Sequence, residues 1–147
     1  MAEGVTSRDQ TRDAAARQED LSALAQTTKN AGSFLGAESV ELLPFPDNRM
    51  DTLPLLDVVN EVESRLEKIK PEVVYTYHQG DLNIDHQITH RAVVTASRPY
   101  PGQSVHTLLF FEVPSSTDWQ VASLEDTFAP SWFVDMPSAL FERGGEV

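Results

Sequence analysis

The feature that most constrains this chain is a repeated switch between two hydrophobic periods. Leu55, Val58, Val59, Val62, Leu66 and Ile69 recur at helical spacing, with Glu61, Glu63, Arg65 and Glu67 between them, and Pro71 closes the run. The compact β-branched and aromatic run Val73 to Tyr77 (VVYTY) follows directly and reads as a buried strand. Ile88, Ala92, Val93 and Ala96 return to helical spacing before Pro99, and Val105 to Val113 (VHTLLFFEV) is a second strong strand. Upstream, Asp9 to Ala31 is rich in helix formers, and Gly32 stands where a glycine would terminate that helix. Ser39 to Phe45 (SVELLPF) reads as a short strand, which Pro44 and Pro46 force into an extended exit. The order helix, strand, helix, strand, helix, strand predicts an α/β fold with a mostly parallel sheet and helices on both faces. After Pro114 the chain is irregular, and Trp119, Phe128, Trp132 and Phe133 are expected to pack a loop back onto the body.

At 147 residues, one domain spanning positions 1–147 is the default. No stretch nears the roughly 18 apolar residues of a membrane span, and the first residues lack the cationic and apolar regions of a signal peptide. There are no cysteines, which removes disulfides and thiolate metal sites and fits a reducing cytoplasm. The formal net charge is −12 and the eleven Lys and Arg are scattered, so nucleic acid and anionic membranes are not expected partners.

The segment richest in chemistry is His78-Gln79-Gly80-Asp81-Leu82-Asn83-Ile84-Asp85-His86-Gln87-Ile88-Thr89-His90, which leaves a strand and opens a helix. Ligands of open α/β sheets bind beyond the carboxyl ends of the strands. His86 falls in the first helical turn, where the helix dipole disfavours imidazolium, and neutral imidazole is the metal-binding form. Asp85 beside it is placed to fix a tautomer or to serve as an outer-shell partner. The same Asp/Asn/His loop also reads as a plain helix cap. His90 follows four residues after His86, but Gln87 stands where a zincin helix carries Glu, so His90 reads as an ordinary helix residue. His78 and His106 take no role beyond loop and strand.

Lys70-Pro71-Glu72-Val73-Val74-Tyr75-Thr76-Tyr77-His78 followed by Asp81-Leu82-Asn83-Ile84-Asp85-His86 resembles the second signature of the LmbE/PIG-L zinc-dependent N-deacetylases. Leu43-Pro44-Phe45-Pro46-Asp47-Asn48-Arg49 is similar to the loop after their third strand, and Ala2-Glu3-Gly4-Val5-Thr6-Ser7-Arg8 to the loop after their second. Phe110-Phe111-Glu112-Val113-Pro114-Ser115-Ser116-Thr117-Asp118-Trp119 is similar to a run of bacterial members, so the resemblance covers nearly the whole chain. It implies a Rossmann-like fold and a zinc site held by an early His-Pro-Asp-Asp segment together with the histidine that maps onto His86. No histidine of this chain precedes a proline, so two family ligands and the general base have no counterpart here. The resemblance also makes Arg17 and Asp47 substrate-binding, Asn83 a hydrogen-bond donor where some relatives carry His, and Asp85 an outer-shell carboxylate. Arg17 reads equally as a surface helix residue, and Asp47 as a turn residue before Asn48.

In such an enzyme zinc activates water and polarises an amide carbonyl while a carboxylate moves the proton. The implied substrate is an N-acetylated sugar or glycoconjugate. Both ends of the chain look cut, as though the first βαβ unit were missing. The chain alone is therefore expected to be inactive, to hold zinc weakly or not at all, and to self-associate through an exposed strand edge. The competing expectations are a non-catalytic binding or interaction domain derived from a deacetylase, and a misassembled gene product.

Overall fold

The computed structural model describes residues 2–7, 9, 11–121 and 127–135. Among these described residues, three helices, α1 (Gln18–Phe34), α2 (Leu55–Ile69) and α3 (Ile84–Ala96), accompany two strands, β1 (Val73–Tyr77) and β2 (Thr107–Phe111), with one 3-10 turn at Met50–Thr52. The strands pair in parallel from Val73 opposite Thr107 to Tyr77 opposite Phe111. Parallel neighbours cannot be joined by a tight turn, and α3 supplies the crossover. The α/β class expected from the alternating periods is the class observed.

α2 starts after Pro54 and ends at Lys70, whose φ of 52° turns the chain left-handed ahead of Pro71. Its buried face is Val58, Val59, Val62 and Leu66, with Leu55 partly buried. Ile69 breaks the expected stripe and points outward in the last turn. The inner face of α3 is Ile88, Thr89, Ala92, Val93 and Ala96, as its period predicts for the apolar members. These residues and Met50 form one core, against which Phe45, Leu53, Val74, Val105 and Leu108 pack. His90 joins α3 to β1: its ring Nδ1 lies 2.7 Å from the Tyr77 carbonyl, which can only accept, so Nδ1 carries the hydrogen.

Several local expectations are corrected. The first helix begins at Gln18 rather than Asp9, because Asp13 draws the chain into a separate turn by accepting from the Ala16 amide (3.0 Å). That helix also runs through Gly32 and stops at Phe34. Ala37 N–H bonds the Gly32 carbonyl (2.9 Å), Gly36 N–H bonds the Ser33 carbonyl (3.2 Å), and Gly36 sits at φ 74°. This is a Schellman closure with Gly36 as the terminating glycine. Gly32 serves close packing instead, since a Cβ there would lie 2.3 Å from Val40 Cγ2.

Ser39 to Phe45 does not form a strand. A single parallel bridge joins Ala2 to Phe45, and Pro44 and Pro46 have no N–H with which to extend it. The second strand run is regular only over Thr107–Phe111. β1 is buried chiefly at Thr76, while Val73 and Tyr75 on the opposite face are exposed. Trp119, Trp132 and Phe133 are exposed as well, so they do not pack onto the body as anticipated. Phe128 does make a contact, edge-on to the His78 ring at 5.3 Å.

Candidate functional site

The loop leaving β1 is shaped by its own acidic and amide side chains. Asp81 Oδ1 accepts from the Asn83 amide two residues on (2.8 Å), an Asx turn that reverses the chain after Gly80. Asn83 then caps α3, its Oδ1 accepting from Asp85 N (2.9 Å) and His86 N (3.4 Å). With its oxygen committed to the cap, Asn83 keeps its amide nitrogen as the remaining donor. His86 is thereby fixed in the first turn of α3, as its sequence position implies.

His86 is held on two sides. Tyr77, the last residue of β1, stacks on its ring with centroids 3.8 Å apart and planes within 6°. Asp81 Oδ2 lies 3.0 Å from Nδ1, and Asp81 is fully buried. The same oxygen accepts hydroxyl hydrogens from Ser116 (2.9 Å) and Thr117 (3.0 Å), on the turn after β2. Burial alone would raise the Asp81 pKa. The Asn83 amide, then His86, Ser116 and Thr117, outweigh it and leave the carboxyl below its ordinary value. Burial raises the Tyr77 phenol, and the charges of Asp81 and Asp85 raise it further.

Asp85 faces the other way. Its Oδ2 accepts from Asn48 N (2.7 Å) and its Oδ1 from Met50 N (3.0 Å), so both oxygens fasten the loop after Phe45 to the head of α3. That loop carries Asp47, whose Oδ2 accepts from Ser7 N (3.1 Å). Asp47, Met50, Tyr77, Asn83, Asp85, His86, Thr89 and Ala2 line one polar cleft of about 200 Å³. Four of the five residues singled out in the sequence thus border one cavity. Arg17 does not: its guanidinium donates to Asp9 (2.7 and 3.2 Å) and to Asp20 (3.2 Å). Those carboxylates, Asp9 first, raise its pKa.

A different hollow of about 770 Å³ lies over the outer sheet face, between Tyr75, Leu109 and Phe111 and the 127–134 segment. It is the roomier of the two but apolar, and its histidine, His78, accepts from the Gly80 amide through Nδ1 (3.1 Å). Asp47, Asn83, Asp85 and His86 converge instead in the smaller cleft.

Residues 3–97 match the family described as PIG-L, GlcNAc-PI de-N-acetylase. The chain belongs to this family. No curated protein and no solved structure matches it. The matched span contains Asp47, Asn83, Asp85 and His86 and stops short of β2 and the Ser116–Thr117 turn. Two relations escaped the sequence reading: the attachment of Asp81 to His86, and the use of Asp85 on the 47–50 loop. The Asp-x-Asn spacing signals the Asx turn, but nothing local signals the partners at 116 and 117.

The zinc that the family resemblance implies can be tested against the donors present. Among the described residues, no group of three His, Cys, Asp or Glu is gathered closely enough to hold a metal ion. Asp85 has both oxygens on main-chain amides, and Asp81 lies on the Nδ1 side of His86. His86 is a single donor, and a protein zinc site takes three or four. These residues alone do not fit the metal.

Proposed function

We propose that the cleft is the substrate-facing part of an N-deacetylase site and that its ligand is an N-acetylated amino sugar or a glycoconjugate bearing one. The observation that carries this reading is the convergence of Asp47, Asn83 and His86 on one polar cleft within the span matched to the family. Asp47 would accept from sugar hydroxyls, and the Asn83 amide nitrogen would donate to the acetamide carbonyl. His86 would present its second ring nitrogen. At about 200 Å³ the cleft falls below the roughly 300–1,000 Å³ of drug-sized sites, which suits one edge of a sugar ring rather than an entire glycolipid.

Hydrolysis of an amide needs an activated water, and in this family zinc is the expected activator. The described residues supply one donor toward it, so the 147-residue chain is expected to bind rather than to hydrolyse. The alternative, a non-catalytic binding domain derived from a deacetylase, rests on the same incomplete donor set. Amide chemical-shift mapping with N-acetylglucosamine, run beside an acetate-release assay, tests sugar binding and hydrolysis independently. Shifts clustered at Asp47, Asn83, His86 and Thr89 without acetate release are expected. Shifts confined to other surfaces would remove the sugar reading, and acetate release would show that the chain carries a complete catalytic centre.

A further inference from the structure

The Ser116–Thr117 turn lies outside the span matched to the family, yet its two hydroxyls meet the carboxylate that holds His86. We propose that Asp81 is a positioning residue for His86, that Ser116 and Thr117 hold Asp81 in place, and that the turn after β2 therefore belongs to the site. The proposal deepens the reading of the cleft given above and takes its functional meaning from it.

Each hydrogen in this cluster has a determined direction. The Val113 amide donates to Thr117 Oγ1 (2.8 Å), so the Thr117 hydroxyl is free to send its own hydrogen to Asp81 Oδ2. Ser116 does the same at 2.9 Å. An ionised carboxylate accepts only, so the His86 nitrogen facing it at 3.0 Å, Nδ1, must carry a hydrogen. In neutral imidazole the lone pair then sits on Nε2. Nδ1 is turned toward a fully buried partner, which leaves Nε2 as the nitrogen available to the cleft. The Tyr77 stack at 3.8 Å opposes tilting of the ring. Asp81 thus selects both the tautomer and the orientation in which His86 offers a base or a ligand atom.

Asp85 does not share this task, because its two oxygens are occupied by the Asn48 and Met50 amides. Among the described residues, Ser116 is the competitor within hydrogen-bond range. Its Oγ lies 3.5 Å from Nδ1 and would be the nearer partner if the carboxylate withdrew.

Asp81→Asn tests the assignment because its amide has one orientation that the site accepts. The Asn83 N–H at 2.8 Å from Oδ1 is fixed by the backbone and needs an oxygen there. The hydroxyls of Ser116 and Thr117 can rotate, one of them to receive the first of the two amide hydrogens, so the new NH₂ group takes the Oδ2 position and keeps its second hydrogen for the ring. It then donates toward His86 Nδ1, which must give up its hydrogen. The ring tautomer is read by ring-nitrogen NMR of the full chain at alkaline pH, with neither metal nor substrate added. Failure of the sugar or zinc reading therefore leaves this measurement intact. The Nδ1–H form is expected to dominate in the parent chain, and the Nε2–H form in Asp81→Asn. Ser116→Ala is expected to keep the Nδ1–H form, since Asp81, Asn83 and Thr117 remain. An Nε2–H tautomer in the parent chain overturns the proposal without any variant. So does retention of Nδ1–H in a folded Asp81→Asn, or a tautomer change in Ser116→Ala, which would make the serine the controlling group.

Discussion

Replacing Asp85 separates two roles for a carboxylate beside His86. In the structure Asp85 is 6% exposed and spends both oxygens on main-chain amides, one of them from the fully buried Met50. Asp85→Ala leaves the Met50 N–H without an acceptor, at a cost of about 1–3 kcal/mol. The Asn48 amide belongs to an exposed residue and can turn to water, so it adds little. Loss of an acidic group from the first turn of α3 adds about 0.3–1 kcal/mol. The expected destabilisation is therefore about 1–4 kcal/mol. Asp85→Asn retains one oxygen, which goes to Met50 while its NH₂ displaces the Asn48 contact, and the cost falls to about 1–2 kcal/mol. Urea unfolding at unchanged m-value measures both, and the Asn48 and Met50 amide resonances report the loop directly. A carboxylate serving only as a polar wall of the cleft would leave both variants near parental stability. An Asp85→Ala change below about 0.5 kcal/mol, or equal losses for Ala and Asn, would refute the assignment of Asp85 to the loop.

Other consequences follow from the packing and the charges. Gly32→Ala gains about 1 kcal/mol in helix propensity but drives a Cβ into Val40, so net destabilisation is expected. Gly32→Ala combined with Val40→Ala should recover much of that loss in a thermal or urea double-mutant cycle. The Thr76 hydroxyl is buried without a hydrogen-bond partner among the described residues. Thr76→Val, nearly isosteric and a good strand residue, should raise stability by about 1 kcal/mol in the same assay. The folded-state pKa of Asp81 is depressed, so its contribution is complete above its unfolded value of about 3.9 and is lost as pH falls through the lower folded value. Asp81→Asn should accordingly flatten the acid limb of the stability profile.

The parts of the fold legible in the sequence were those written in local periods. β1 has the boundaries that its β-branched run gives, and the buried faces of α2 and α3 follow their helical spacing except at Ile69. Ile69 fails because a period tells which residues share a stripe, not where the neighbouring element stops covering it. Gly32 fails for a related reason: as a helix terminator it was plausible on type alone, whereas its role depends on Val40 arriving from beyond the Schellman turn. Ser39 to Phe45 has strand composition, but two prolines limit it to a single bridge with Ala2.

The same division runs through the site. The segment from His78 to His86 announced itself by residue type and by its place after a strand, and the structure puts Asp47, Asn83, Asp85 and His86 around one cleft. What local sequence could not distribute was the work of its two acids. Asp81 reaches 35 and 36 residues forward to Ser116 and Thr117, and Asp85 reaches 37 and 35 residues back to Asn48 and Met50. Proximity along the chain favoured Asp85 as the partner of His86, yet a residue next to another at a helix start points its side chain about 100° away around the axis. Asp81, placed before the cap by the Asx turn, comes back to the Nδ1 edge of the ring. The loop thus uses one acid to anchor the turn downstream and the other to anchor the loop upstream. His86 stands between the two anchors, where the carboxyl ends of β1 and β2 meet.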